Sequence, residues 1–209
     1  MSDSHLYTYG VVEDDDPLDL SVDGVEGADR VYTVSHGPLA AVVTDIGTMD
    51  PERTDENARA HDDVLQAVLE TGRTIVPMRF GMTFKNGRAL KSVLRGGRRA
   101  FTKSLREIDG AVEMGVKLVA DEGASLDREA VVADVADRLR AVSDEESEND
   151  LFSDRLVFNR SYLVDRADRE AFDDAVSAID DDYGEDLTVQ YTGPWAPYNF
   201  VDIEIGAKR

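Results

Sequence analysis

The spacing of apolar residues along the chain predicts short strands interleaved with amphipathic helices. Residues 6–12, 30–36 and 39–46 are runs of valine, tyrosine and threonine separated by turn residues, and read as strands. Residues 13–29, acidic and punctuated by Pro17, Gly24 and Gly27, read as a surface connection. Asp50-Pro51 offers an N-cap followed by a first-turn proline. After it Ala58, His61, Leu65 and Val68 recur at helical spacing until Gly72. Residues 74–80 read as a further strand. Residues 85–108 read as one helix with Leu90, Leu94, Phe101, Leu105 and Ile108 on its apolar face, weakened at Gly96-Gly97.

In the second half Val112, Met114, Val116 and Leu118 alternate with Glu113, Gly115 and Lys117, the pattern of a half-buried strand. Asp127 can cap a helix whose inner face is Val132, Val135, Leu139 and Val142. Residues 143–150 hold five carboxylates and no basic residue, and read as a solvated loop. A strand at 156–164 and a helix at 165–183, with Phe172, Val176, Ile179 and Tyr183 inward, come next. Strands at 187–192 and 198–205 close the chain. Strands and helices mix without regular βαβ alternation and without a fixed-period repeat. The expected class is therefore α+β, with helices on one face of largely antiparallel sheets. A boundary near 108–124 separates residues 1–109 from 110–209 as two α+β domains of similar size.

Charge changes this picture most. Acidic residues number 44 against 23 basic, a net charge of −21. Aspartate outnumbers glutamate 29 to 15, and 18 arginines stand beside only five lysines. Such a surface repels itself at ordinary ionic strength. At molar salt, where the screening length falls to roughly 3 Å, that repulsion nearly vanishes. The composition predicts a protein of a salt-rich cytoplasm, and its sign disfavours nucleic acid as a partner. No run approaches about 18 apolar residues, and no secretory leader opens the chain, so a soluble intracellular protein is expected and no membrane partner.

The residues of chemistry are few. Without cysteine there is no disulfide, thiolate metal site or thiol nucleophile. His5, His36 and His61 lie at no metal-ligand spacing, and His61 sits on an inward helical stripe where a satisfied core histidine is expected. No phosphate loop, dinucleotide fingerprint or nucleophile elbow is present. The acidic pairs read as a hydrated skin. No catalytic residue, cofactor or metal is predicted.

Two segments differ from this background. Residues 85–106 contain eight basic side chains and no acidic one, leaving 15 basic against 44 acidic elsewhere. Within them Arg88, Lys91, Arg95 and Arg98 form a stripe at helical spacing. It is either a docking face for an acidic or amphipathic partner, or a surface paired with the protein's own acids or facing solvent. The second segment, Tyr191 to Phe200, frames Trp195, the only tryptophan, with Pro194 and Pro197 and includes Tyr198. The expected role is a rigid turn closing the last hairpin, its aromatics packed on the core; the alternative is an aromatic contact patch.

Four segments together resemble the gas vesicle GvpF/GvpL family. Thr74-Ile75-Val76-Pro77-Met78-Arg79-Phe80-Gly81 is similar to its VVPxxFG segment, and Val112-Glu113-Met114-Gly115-Val116-Lys117 to its central strand. Tyr162-Leu163-Val164-Asp165-Arg166 resembles its YLVDR stretch, and the ending from Gly193 to Val201 its GPWPPYxFV signature, with Ala196 in place of a proline. The order is kept over residues 74–201. The acidic composition resembles a haloarchaeal member of the GvpF branch. The resemblance implies an N-terminal ferredoxin-like domain followed by a second α+β domain. It further implies a cytoplasmic, vesicle-associated accessory protein that contacts the main shell protein GvpA and other accessory proteins, limits shell-protein aggregation and aids nucleation. A small cofactor-independent or heme-binding enzyme on the same scaffold is the competing expectation; a bulk shell subunit is disfavoured by the charge.

Overall fold

The computed structural model describes residues 4–18 and 20–203. The chain divides into two compact units, an N-terminal one up to Asp109, with which residues 201–203 group, and a C-terminal one spanning Gly110–Phe200.

The N-terminal unit contains β1 (His5–Glu13), β2 (Tyr32–His36), β3 (Leu39–Ile46), α1 (Asp55–Glu70), β4 (Val76–Pro77), β5 (Thr83–Phe84), α2 (Gly87–Gly96) and α3 (Arg98–Glu107). Its strands lie in the order β2-β3-β1-β4, all antiparallel, and β5 pairs with the other end of β1. This is the ferredoxin-like order with one departure. Where a helix would link β1 to β2, the described residues between 14 and 31 form a long connection whose one helical element is a 3-10 turn, Val25–Gly27, with the Val25 N–H donating to the Tyr9 hydroxyl at 2.9 Å. The expected strand over 74–80 is an interrupted edge. Bonds from Met78 N to Tyr9 O (2.8 Å) and from Thr8 N to Met82 O (2.9 Å) keep β4 and β5 along β1, while residues 79–81 leave the ladder. At Gly10 a Cβ would come within 2.6 Å of the Val76 carbonyl oxygen, so glycine is what admits the edge strand there.

Successive side chains on a strand point to opposite faces. Tyr7 and Tyr9 face α1, their rings 5.6 and 5.5 Å from that of His61. Leu6 faces the other way, toward Gly87 of α2. Helices therefore cover both faces of this sheet, which corrects the expectation of one covered face. The added layer is also two helices rather than one. A Cβ on Gly97 would stand 2.8 Å from the Phe101 ring, and that glycine serves as the joint between α2 and α3. Leu90, Leu94, Phe101 and Leu105 anchor the pair, each buried side chain contributing about 1.5–3 kcal/mol. Helix α1 starts later than expected: Pro51 lies before it in irregular chain, and the cap is Thr54, whose side chain accepts from Asn57 N.

The C-terminal unit runs β6 (Ala111–Ala120), α4 (Arg128–Arg140), β7 (Glu145–Glu148), β8 (Leu156–Asp165), α5 (Arg169–Tyr183) and β9 (Leu187–Trp195), in the sheet order β7-β8-β6-β9. It is a complete βαββαβ ferredoxin-like unit. Here the helices do lie on one face, where Val112, Met114, Val116 and Leu118 meet Val135, Leu139, Phe172 and Ile179 in the core. Asp127 caps α4 as expected. The stretch expected as a solvated loop contains strand β7. Its carboxylates are tolerated because Glu146 accepts from Arg140 and Arg160, and Glu148 pairs with Arg160 at 2.6 Å. Residues 193–195 continue β9 instead of turning a hairpin, and a 3-10 turn, Tyr198–Phe200, follows where a last strand was expected. Residues 204 and 205 of that expected strand lie outside the described residues.

Candidate functional site

Helix α2 begins at Asn86, whose side chain accepts from Ala89 N, and its buried Leu90 and Leu94 fix which residues look outward. Arg88, Lys91 and Arg95 are exposed and line a groove of about 940 Å³ between α2 and strand β2. The opposite wall is Tyr32, Val34 and His36, with Leu6 also lining the groove. The groove's one carboxylate, Asp45, accepts from Ser4 Oγ at 2.8 Å and from the Tyr32 hydroxyl at 3.1 Å, one on each oxygen. Among the described residues Arg88, Lys91, Arg95 and Arg98 make no ion pair. Their pairing with the protein's own acids, one of the sequence expectations, is not what the structure has. Nor do they form one stripe. The break at Gly97 sends Arg98 into a neighbouring groove of about 690 Å³, with Arg99, Lys103 and Arg106. That second groove is partly neutralised by Glu13 and by Glu107, which pairs with Lys103 at 3.3 Å.

The aromatic segment is placed differently from its expected role. Trp195 is 47% exposed and Tyr198 36%, so neither is packed into the core as expected for a closing turn. Trp195 stands in register with Glu113 on the sheet face away from α4 and α5. The chain then folds back, and the Asn199 amide N–H donates to Glu113 Oε2 at 2.9 Å. Asn199 Nδ2 adds bonds to Glu113 Oε1 at 2.5 Å and to Ser161 Oγ at 3.0 Å. Alternation had placed Glu113 in solvent, yet it is buried. Its partner lies 86 residues away, and no local signal connects the two.

His61 is buried at the centre of a third cluster. Its Nε2 donates to the Met78 carbonyl at 3.1 Å, and its Nδ1 accepts from the Tyr7 hydroxyl at 2.7 Å; Gly81 N donates to that hydroxyl at 3.2 Å. Burial pushes the imidazole down to about 4, outweighing the raising effect of the Met78 bond, so it is neutral at physiological pH. Burial likewise raises the Tyr9 phenol to about 12. The cluster ties the 74–81 segment to α1 and β1, a structural role that matches the expectation of a satisfied core histidine. His36 lines the α2 groove and His5 Nδ1 lies 3.4 Å from the Lys85 carbonyl. No group of three or more His, Cys, Asp or Glu residues is arranged to hold a metal among the described residues, and none of their helices is long and apolar enough to cross a membrane.

Comparison with known proteins gives this arrangement a lineage. The model of the family described as gas vesicle synthesis protein GvpL/GvpF matches residues 5–128 and 123–202. Gas vesicle protein F of Haloferax mediterranei is 59% identical over 211 residues, covering 100% of this chain and 98% of that one. A Halobacterium salinarum gas vesicle protein is 58% identical over 212 residues, covering 100% and 97%. These salt-loving relatives agree with the acidic, lysine-poor composition. The crystal structure of GvpF from Anabaena superposes with a TM-score of 0.85 at 22% identity, covering 96% of this chain and 99% of that one. That of Microcystis aeruginosa GvpF gives 0.84 at 19%, covering 95% and 99%, and both show the fold. The two-unit α+β chain, with its basic helix pair and its aromatic fold-back, belongs to the GvpL/GvpF family and is a halophilic protein of gas vesicle formation.

Proposed function

We propose that this chain is an accessory protein of gas vesicle assembly, residing in the cytoplasm and on vesicles. In this reading it binds the main shell protein GvpA, limits its aggregation, aids vesicle nucleation and engages other accessory proteins, using the basic face of α2 and the start of α3. The observation that carries the reading is that Arg88, Lys91, Arg95 and Arg98 are exposed and make no ion pair among the described residues, in a chain of net charge −21. A local basic patch on an otherwise acidic surface attracts an acidic partner segment, and complementary charge selects partners more than it adds affinity. Trp195 and Tyr198 supply a second contact patch of the kind that anchors interfaces. Family membership supports the gas vesicle setting.

The test is capture of tagged GvpA at high salt by the parent and by the Arg88→Glu, Arg95→Glu, Arg98→Glu triple variant. Exposed charges contribute about 0–1 kcal/mol each, so the triple variant is expected to lose about tenfold in capture while melting like the parent. Undiminished capture by the folded variant would reject this docking face.

A further inference from the structure

Beside the basic wall of the α2 groove runs an unpaired sheet edge. Strand β2 bonds to β3 on one side only. The long connection reaches that edge at the single bridge between Leu20 and Val31, and no other pairing continues along Tyr32–His36 among the described residues. The two-residue turn at Gly37-Pro38 makes His36 and Leu39 the closing hydrogen-bonded pair. Alternation along an antiparallel ladder then directs the amides and carbonyls of Tyr32, Val34 and His36 inward to β3. Those of Thr33 and Ser35 point out. An exposed row of this kind is a template for another strand unless something blocks it. β2 carries no proline, lysine or inward-pointing charge to do so.

The geometry points to strand addition at the β2 edge: the groove between β2 and α2 takes an extended, acidic segment of a partner protein. Its backbone pairs with Thr33 and Ser35, and its alternate carboxylates lie under Arg88, Lys91 and Arg95. Main-chain bonding supplies affinity in such complexes, and side chains at every second position supply selectivity. Charge fixes the occupant's class. Among the described residues the wall's three cations make no ion pair, and Asp45, the groove's one carboxylate, bonds to the Ser4 and Tyr32 hydroxyls and not to them. A nucleic acid would meet the same cations, but it has no polypeptide strand to add to the sheet edge. This deepens the docking reading by giving the partner segment's conformation, and rests on it only for the partner's identity.

The test uses the full chain in molar KCl and a labelled acetyl-(Val-Asp)4-amide peptide. Three controls accompany it: the same peptide N-methylated on alternate backbone nitrogens, its (Val-Lys)4 counterpart, and free aspartate. Anisotropy is expected to show binding of the acidic peptide, weakened about tenfold or more by N-methylation and absent for the basic peptide. The Thr33 and Ser35 amides should gain hydrogen-exchange protection. Equal binding of the methylated and unmethylated acidic peptides, or protection elsewhere with none at Thr33 and Ser35, would overturn strand addition. So would failure of the parent protein to bind the acidic peptide at all. Because these arms use the unmutated protein, no misfolded variant can obscure the outcome. GvpA capture that survives a Thr33→Pro, Ser35→Pro variant yet fails on reversal of the α2 charges would reject the edge while leaving the docking face standing.

Discussion

The two units share a strand order and differ in what covers it. In the C-terminal unit two helices pack on one face and every element of βαββαβ is present. In the N-terminal unit the first helix has been replaced by a loop with one 3-10 turn, the fourth strand is broken, and a helix pair has been added on the opposite face. Charge follows the same division. Residues 110–200 hold eight basic against 23 acidic side chains, net −15; residues 1–109 hold 13 against 19, net −6. Without residues 85–106 the N-terminal part would stand at −14, nearly the value of its neighbour. One scaffold, given the same hydrated skin twice, differs in a missing helix, a broken edge strand and an added layer, and it is the added layer that carries all the surplus positive charge.

The largest effect expected from this comparison is in salt. Lowering KCl from about 3 M to about 0.1 M lengthens the screening distance from below roughly 3 Å to roughly 10 Å. The melting temperature should fall steeply, and β6 amides should lose exchange protection before those of β3, because the −15 unit repels itself more. A melting temperature flat in salt, or loss of β3 first, breaks the comparison. Acid sharpens it at intermediate size. All three histidines lie in the N-terminal unit, and only His61 is buried there. Its folded value of about 4 lies below the ordinary 6.5, so the unfolded chain takes up the proton first as pH falls. The stability it contributes is complete above about 6.5 and lost between there and about 4, on the order of 3 kcal/mol. Urea titrations from pH 7 to 5 should show that slope in the parent and its absence in His61→Asn, while the C-terminal unit's exchange rates, corrected for intrinsic pH dependence, stay level. The smallest effect is Trp195→Ala. With half its surface already in water it should cost about 1 kcal/mol or less, a shift of a few degrees in a thermal melt. A loss above about 3 kcal/mol would restore the buried-turn role.

Much of this was legible in the sequence because burial is periodic. α1, α4 and α5 follow apolar patterns of period 3.6 and β6 one of period 2, β1, β3 and β8 stand out as short apolar runs, and Asp127 announces its helix by type alone. What escaped notice had its cause elsewhere in the chain. β7 reads as loop because its glutamates are stabilised by arginines on other elements, Arg140 at the end of α4 and Arg160 on β8, the latter 14 residues from Glu146. The 85–108 pattern is continuous in hydrophobicity, and the division into two helices at Gly97 is a backbone feature that this pattern does not carry. For the candidate site, the basic residues and their isolation were readable, whereas the groove was not, since it needs β2 from some fifty residues earlier. Trp195 and Tyr198 were singled out correctly as unusual and assigned the wrong surroundings, because their exposure depends on β9 extending through Pro194.

The bond between Asn199 and Glu113 has one more implication. It brings the last turn of the C-terminal unit against its first strand, so the points where the chain enters and leaves that unit stand side by side. Adjacent ends are the geometric condition for placing one domain inside a loop of another without stretching the host. In genetic terms the segment from Gly110 to Phe200 is a cassette: a gene could gain it, lose it or pass it to an unrelated carrier in a single event, with only a short seam to heal.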